Sequence, residues 1–239
     1  MYFHHKFDHV FEGSPEPKVS FVVCALPRTG SSLLCELLAL TELAGAPSEV
    51  FEDYQMSMFK RAWRTDSFED YVRALIEKKT SPNGVFGFKA HYQQLIPAFG
   101  DRDLTSTFPN LHFIYIKRLD HVRQAVSYAR ATQTEQWTSV HEPATAPVYD
   151  REQIGLLLEG IEVEEQAWER YIARYDAPLH RVVYEDFAAA VDETVIDVMH
   201  FLGIDLPPGF EVPRPTLHRQ ADALTDEWVA RFLREGQLV

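Results

Sequence analysis

The chain has 239 residues, 46% of them hydrophobic, enough to bury the core of one sizeable α/β domain and short for two. Its formal net charge of −13 argues against nucleic acid or an anionic membrane surface as a partner, and obliges any anion site to gather its few cations locally. Cys24 and Cys35 form neither a disulfide framework nor a metal spacing and read as buried thiols of a reducing, cytoplasmic compartment, and no run of about 20 apolar residues predicts a membrane span.

Residues 1–17 are a polar lead-in with Gly13, Pro15 and Pro17, lacking the uninterrupted apolar core of a signal peptide. His4 and His5 are adjacent but have no acidic or Cys partners nearby, so no metal site is expected there. The first unit, 18–44, is the most informative. An apolar, β-branched run (Val19, Phe21, Val22, Val23) stops at Pro27, the turn Arg28-Thr29-Gly30-Ser31-Ser32 follows, and Leu33, Leu34, Leu37 and Leu38 then recur at helical spacing. Strand, tight loop and helix in that order aim backbone N–H groups and the positive end of the helix dipole at one point, an anion site. Gly30 permits close backbone approach, Ser31 and Ser32 add hydroxyls, and Arg28 adds a fixed charge. The ATP and GTP loop G-x-x-x-x-G-K-[ST] is not matched: Ala25 stands in place of its first Gly and Ser31 in place of its Lys. The cation lies on the other side of the glycine, an arrangement that suits a phosphate or a sulfate.

Gly45-Ala46-Pro47 is a break, and Ser48 is positioned to cap a segment beginning at Glu49. An amphipathic helix is expected over 66–79, a turn at Ser81-Pro82-Asn83-Gly84 and a short buried strand over 85–89, with Lys89 at its end. LHFIYIK (111–117) reads as a strand and 119–132 as its helix. The polar stretch 133–150, with Pro143 and Pro147, is a candidate substrate-facing lid. A long helix over 151–175, a strand over 181–187, a helix over 190–202, a proline-rich connection and a last helix near 225–235 complete the chain. Strands alternating with helices predict an α/β fold, a parallel sheet flanked by helices, with ligands at the carboxyl ends of the strands. Basic residues fall at such ends: Arg28, the pair Lys117-Arg118, and Arg219 in His218-Arg219-Gln220-Ala221-Asp222.

The stretches PRTGSSLLCELL, AGAPSEVFE, SPNGVFGFK, RLDHVRQAVSYARATQTEQW and HRQADALTDEWVARF run from residue 27 to 232. Together they resemble the bacterial trehalose 2-sulfotransferase family, a branch of the carbohydrate sulfotransferases. The resemblance implies a single sulfotransferase domain over 1–239 with a sulfotransferase-type P-loop fold. It implies PAPS (3′-phosphoadenosine-5′-phosphosulfate) as donor, a carbohydrate hydroxyl as acceptor, no metal and a homodimer. Arg28, Thr29, Gly30, Ser31 and Ser32 match the family's 5′-phosphosulfate loop. Arg118 and Ser127, nine residues on, match its 3′-phosphate pair, and Arg219 matches its C-terminal arginine. Two arginines suit a phosphate monoester carrying nearly two charges. The family's catalytic base falls on Glu49, in Pro47-Ser48-Glu49-Val50-Phe51; Glu36, Glu52 and His91 are rival bases. A sugar hydroxyl has a very high pKa and gains from a positioned proton acceptor, while Arg28 and the loop N–H groups would stabilise departing charge. Tyr184-Glu185-Asp186 resembles a strand-end hydrogen-bonding element common in sulfotransferases, and Trp137 and Tyr128 are candidates for stacking or for core. Departures cluster around the acceptor: Pro27 replaces a Gln before the loop arginine, and Ala46 replaces a Glu before the proline of the base segment. Trehalose, another saccharide, a glycolipid head group or a hydroxylated natural product remain open as acceptors. A P-loop kinase-like enzyme using ATP and magnesium, or a non-catalytic nucleotide-binding protein, are the competing functions.

Overall fold

The structure is a computed structural model and describes residues 10–11, 13–140, 142, 144–217 and 222–236. Four strands, β1 (Val19–Ala25), β2 (Val85–His91), β3 (Leu111–Lys117) and β4 (Leu179–Val183), pair in the order β2-β1-β3-β4, all in parallel. Both faces of the sheet are covered. On β1, Val22 and Cys24 enter one core and Phe21, Val23 and Ala25 the other; on β3, Phe113 and Tyr115 oppose Ile114 and Ile116 in the same way. This double burial explains why β1 and β3 read as mostly apolar runs and not as alternating ones.

The second core is closed by α1 (Ser31–Leu40), by Phe187 of α8 (Tyr184–Ala189) and by α9 (Val191–Phe201). The larger first core takes side chains from α2 (Asp53–Trp63), α3 (Phe68–Lys79), α4 (Tyr92–Phe99), α5 (Leu104–Thr107), α6 (His121–Thr134), α7 (Arg151–Ile172) and α10 (Ala223–Gly236). The expected parallel sheet flanked by helices is present, and β3 occupies the residues expected of it.

Three local expectations are corrected. The helix expected to start after Ser48 begins only at Asp53, capped by Glu52, whose carboxylate accepts from the Gln55 N–H. Ser48 does not open a helix: its carbonyl accepts the Lys89 N–H at 2.9 Å, which ties it beside β2, and the Val50 N–H at 2.8 Å. The strand expected over 181–187 ends at Val183, and Tyr184-Glu185-Asp186 forms the first turn of α8, where acidic residues face the positive helix end. β2 continues two residues beyond Lys89, to His91. Helix α4 has no counterpart in the sequence reading, because Pro97 lies inside it and its N-cap is a histidine, His91. Both cysteines are buried and free.

Close packing between β1 and β2 depends on Gly87, which pairs with Phe21. A Cβ there would lie 2.2–2.7 Å from three atoms of the Phe21 ring. Gly87→Ala is therefore expected to lower stability by about 1–3 kcal/mol, read as a fall in the urea midpoint. The proline-rich connection is fastened by Glu36 of α1, whose buried carboxylate accepts from the backbone N–H groups of Thr216 and Leu217, each at 2.9 Å, and from the Thr216 hydroxyl. An amide there must turn its NH2 toward one of these donors. Glu36→Gln should accordingly lower stability by about 1–3 kcal/mol, and an unchanged urea midpoint would contradict the fastening role.

Candidate active site

Register places Ala25, the last residue of β1, between His91 of β2 and Ile116 of β3. The loop leaving β1 thus emerges between the carboxyl ends of its two neighbours. Arg28 (φ 68°) and Gly30 (φ 79°) both take left-handed backbone conformations. Gly30 is required twice over, since a Cβ there would also lie 2.9 Å from Cδ2 of Tyr184. The Thr29 hydroxyl donates to the Leu26 carbonyl at 2.9 Å, closing the turn. Helix α6 holds the loop from the side: Gln124 Nε2 donates to the Pro27 carbonyl at 2.8 Å, and one turn on Ser127 Oγ accepts from Arg28 Nε at 2.9 Å. The Trp137 carbonyl accepts from Arg28 Nη1 at 2.5 Å.

Arg118 leaves the end of β3, is 5% exposed, and donates from Nη1 to the Arg28 carbonyl at 3.3 Å. Its guanidinium lies 4.5 Å from the centre of the Tyr184 ring. Its Nε is buried without a hydrogen-bond partner, Glu185 Oε1 being 4.0 Å away. Glu185 instead accepts the backbone N–H groups of Leu119 and Asp120. Burial, and then the charge of Arg118, draw the pKa of Arg28 down to about 10; burial also lowers that of Arg118. The N-terminus of α1, capped by Gly30 without a side-chain bond, has no acidic residue in its first turn. Two guanidiniums, an orphaned buried Nε and an acid-free helix end fit an anion with phosphate chemistry.

Glu49 stands on the other side. Its Oε1 lies 2.6 Å from Lys89 Nζ and 3.7 Å from His91 Nε2, and its Oε2 accepts from Gln94 Nε2 at 2.8 Å. Lys89, 4% exposed, also donates to Ser32 Oγ at 3.0 Å, linking the carboxylate to the loop. Burial acts to raise the Glu49 pKa, but Lys89 and His91 outweigh it and hold the carboxyl well below its usual range. His91 Nδ1 is 2.9 Å from the Ala25 carbonyl, which can only accept, so Nδ1 carries a proton there, and Nε2 faces Glu49. The backbone around Glu49 is fixed: the buried Tyr71 hydroxyl donates to the Val50 carbonyl, and Phe51 packs against Phe88 and Phe99 with ring centres 5.1 and 4.9 Å apart.

The structure therefore brings Arg28, Thr29, Gly30, Ser31, Ser32, Arg118 and Ser127 to one corner, with Glu49 joined to it through Lys89. Of the rival bases, Glu36 and Glu52 are committed to Thr216-Leu217 and to capping α2, and His91 adjoins Glu49. Arg219 lies outside the described residues, as do His218, Gln220 and Ala221. Both flanks of that segment are tied: Glu36 holds Thr216 and Leu217, and Arg130 of α6 makes a two-pronged pair with Asp222, at 2.5 and 2.7 Å, that holds the Asp222 pKa at about 2. Gln133 ties the region following α6 through its side chain to both the N–H and the carbonyl of Val148. Tyr128 and Trp137 touch edge to face, centres 5.9 Å apart. Gln94, Gln124 and Arg130 were missed as site-forming residues; their signal is spacing, Gln94 three residues from His91 and Gln124 three from Ser127. Among the described residues no group of three or more His, Cys, Asp or Glu could hold a metal, and no helix is long and apolar enough to cross a membrane.

The chain is 31% identical over 260 residues to the trehalose 2-sulfotransferase of Mycolicibacterium smegmatis, covering 91% of this chain and 96% of that one. It is 28% identical over 258 residues to the trehalose 2-sulfotransferase of Mycobacterium tuberculosis, covering 90% and 95%. The fold resembles a sulfotransferase from Alicyclobacillus acidocaldarius, with a TM-score of 0.54 at 16% identity over 92% of each chain. It also resembles the sulfotransferase domain of the Synechococcus PCC 7002 olefin synthase, with a TM-score of 0.53 at 14% identity over 92% and 96%. The family model described as Stf0 sulphotransferase matches residues 20–235, and the chain belongs to that family of sulfotransferases.

Proposed function

We propose that this sulfotransferase moves a sulfuryl group from PAPS to a hydroxyl of a carbohydrate, trehalose or another sugar, within one domain. The observation that carries the reading is the continuous line of contacts from Arg118 through the loop and Lys89 to Glu49. It sets a two-arginine anion corner and a carboxylate on opposite sides of one helix N-terminus. PAPS supplies a sulfuryl group already attached to a good leaving phosphate. Arg118 and Ser127, with Arg219, would hold the 3′-phosphate; the loop from Arg28 to Ser32 would hold the 5′-phosphosulfate. Glu49 would take the acceptor hydroxyl's proton, and Arg28, the loop N–H groups and Lys89 would offset charge on the departing phosphate and the sulfuryl oxygens. The mycobacterial relatives, named for trehalose, support a disaccharide acceptor. Pro27 and Ala46 stand where the trehalose pattern has polar side chains, so the sugar is a matter for an acceptor screen.

Calorimetric titration is expected to show binding of PAP, the desulfated product, in preference to ATP–magnesium and to adenosine 5′-phosphosulfate; preference for ATP–magnesium would overturn the donor. Arg118→Ala should weaken PAP at least about tenfold while leaving the acceptor KM nearly unchanged, since only a phosphate-contacting role separates the two. Glu49→Gln should retain PAP binding and lose about a hundred- to ten-thousandfold in kcat, and full activity would remove Glu49 as the base.

A further inference from the structure

Lys89 occupies an unusual position for a residue beside a proton acceptor. Its ammonium is buried, lies 2.6 Å from Glu49 Oε1, and at the same time donates to Ser32 Oγ at the mouth of the anion loop. A carboxylate paired this closely with an ammonium is a weak base. The two oxygens of Glu49 are held differently. Oε2 is held by the neutral Gln94 amide, itself fixed because its carbonyl accepts the His91 N–H at 3.0 Å. Oε1 faces the cation. Loss of Lys89 from Oε1 would therefore leave the carboxylate aimed and anchored. Resting on the donor reading above, we propose that Lys89 is a shared counter-ion: it masks Glu49 in the donor-free enzyme and transfers to the donor's 5′-anion when the loop fills, releasing Glu49 for the acceptor hydroxyl.

The exchange moves only a proton equilibrium and an ion pair; no covalent bond changes. A donor anion bound at Ser31 and Ser32 competes for the ammonium with more charge than one carboxylate. Deprived of its partner, Glu49 rises in pKa, and its carboxylate becomes a stronger base toward the proton of a positioned alcohol. The groups facing Glu49 from the packed elements are Lys89 and His91 of β2, Gln94 of α4 and the Cys35 thiol of α1, and His91 in turn faces Glu164 of α7. The base would thus reach full strength only after the donor is in place, which couples acceptor activation to donor occupancy.

The test is a carbon-13 NMR titration of the side-chain carboxyls of glutamate-labelled protein, free and with PAP, the Glu49 signal being assigned by its loss in Glu49→Gln. The expected result is an upward move of the Glu49 midpoint by about 1–3 pH units on PAP binding. In Lys89→Met the midpoint should already be high without PAP and move by much less. An equal upward move in Lys89→Met would mean direct repulsion by the phosphate and would overturn the exchange. Should Lys89→Met not fold, a crystal structure of the wild-type PAP complex decides: Lys89 on the phosphate and away from Glu49 supports the exchange, and Lys89 still paired with Glu49 overturns it. PAP binding with an unmoved midpoint sinks the counter-ion exchange alone. Absence of PAP binding sinks the donor reading and this inference together.

Discussion

An acidic chain that must bury two neighbouring guanidiniums sets the terms for the rest of this molecule. Arg28 and Arg118 repel each other, and burial deprives both of water. The fold answers mostly with neutral groups. The Tyr184 ring offers its face to Arg118, Ser127 and the Trp137 carbonyl accept from Arg28, and the Arg28 carbonyl accepts from Arg118. Glu185 spends its oxygens on two backbone N–H groups and stays 4.0 Å from Arg118, so the guanidinium keeps capacity for an external anion. Tyr184 can reach its station only because residue 30 has no side chain. Gly30 and Arg118, from the loops after β1 and β3, both meet the Tyr184 ring of α8.

The opposite wall is built by different physics. An aromatic cluster around Phe51 and a hydrogen bond from Tyr71 immobilise the backbone on which Glu49 stands. Helix α7 braces the junction of the two walls: Trp168 Nε1 donates to the Ala25 carbonyl, which also holds His91, and Glu164 accepts the Tyr92 N–H. The carboxylate thus rests on apolar packing, while the arginines rest on hydrogen bonds and a π face. A site divided this way can change its ion pairs without moving its backbone.

The two-arginine corner was legible in the sequence because its parts are local: a strand, a glycine turn and a helix carry it within 19–38, and Arg118 and Ser127 lie close in sequence. The parallel sheet was legible chiefly through the mostly apolar runs of β1 and β3; β4, with His180 and Arg181, carries a weaker signal. What was not legible depends mostly on partners distant in sequence, and in one case on a local choice between strand and helix. Ser48 has the chemistry of a cap, but β2 claims its carbonyl. Tyr184-Glu185-Asp186 has the composition of a strand end, but opens a helix whose first turn welcomes acids. The pairing of Lys89 with both Glu49 and Ser32 follows from register between β1 and β2 and from the path of 46–48, neither of which spacing alone reveals.

The tether from Glu36 to Thr216 has a consequence for how the enzyme comes into being. Arg28 meets Ser127 across 99 residues, Ala25 meets Trp168 across 143, and Glu36 meets Thr216 across 180. Contacts of such separation form late and slowly, since loop closure precedes any reward from packing. The nascent strand–loop–helix at the front of the chain is complete in sequence long before its arginine has a hydroxyl, its strand end an indole or its helix a tether. The anion corner thus arises with global order and not before it, so an anion that binds there would selectively stabilise the finished chain.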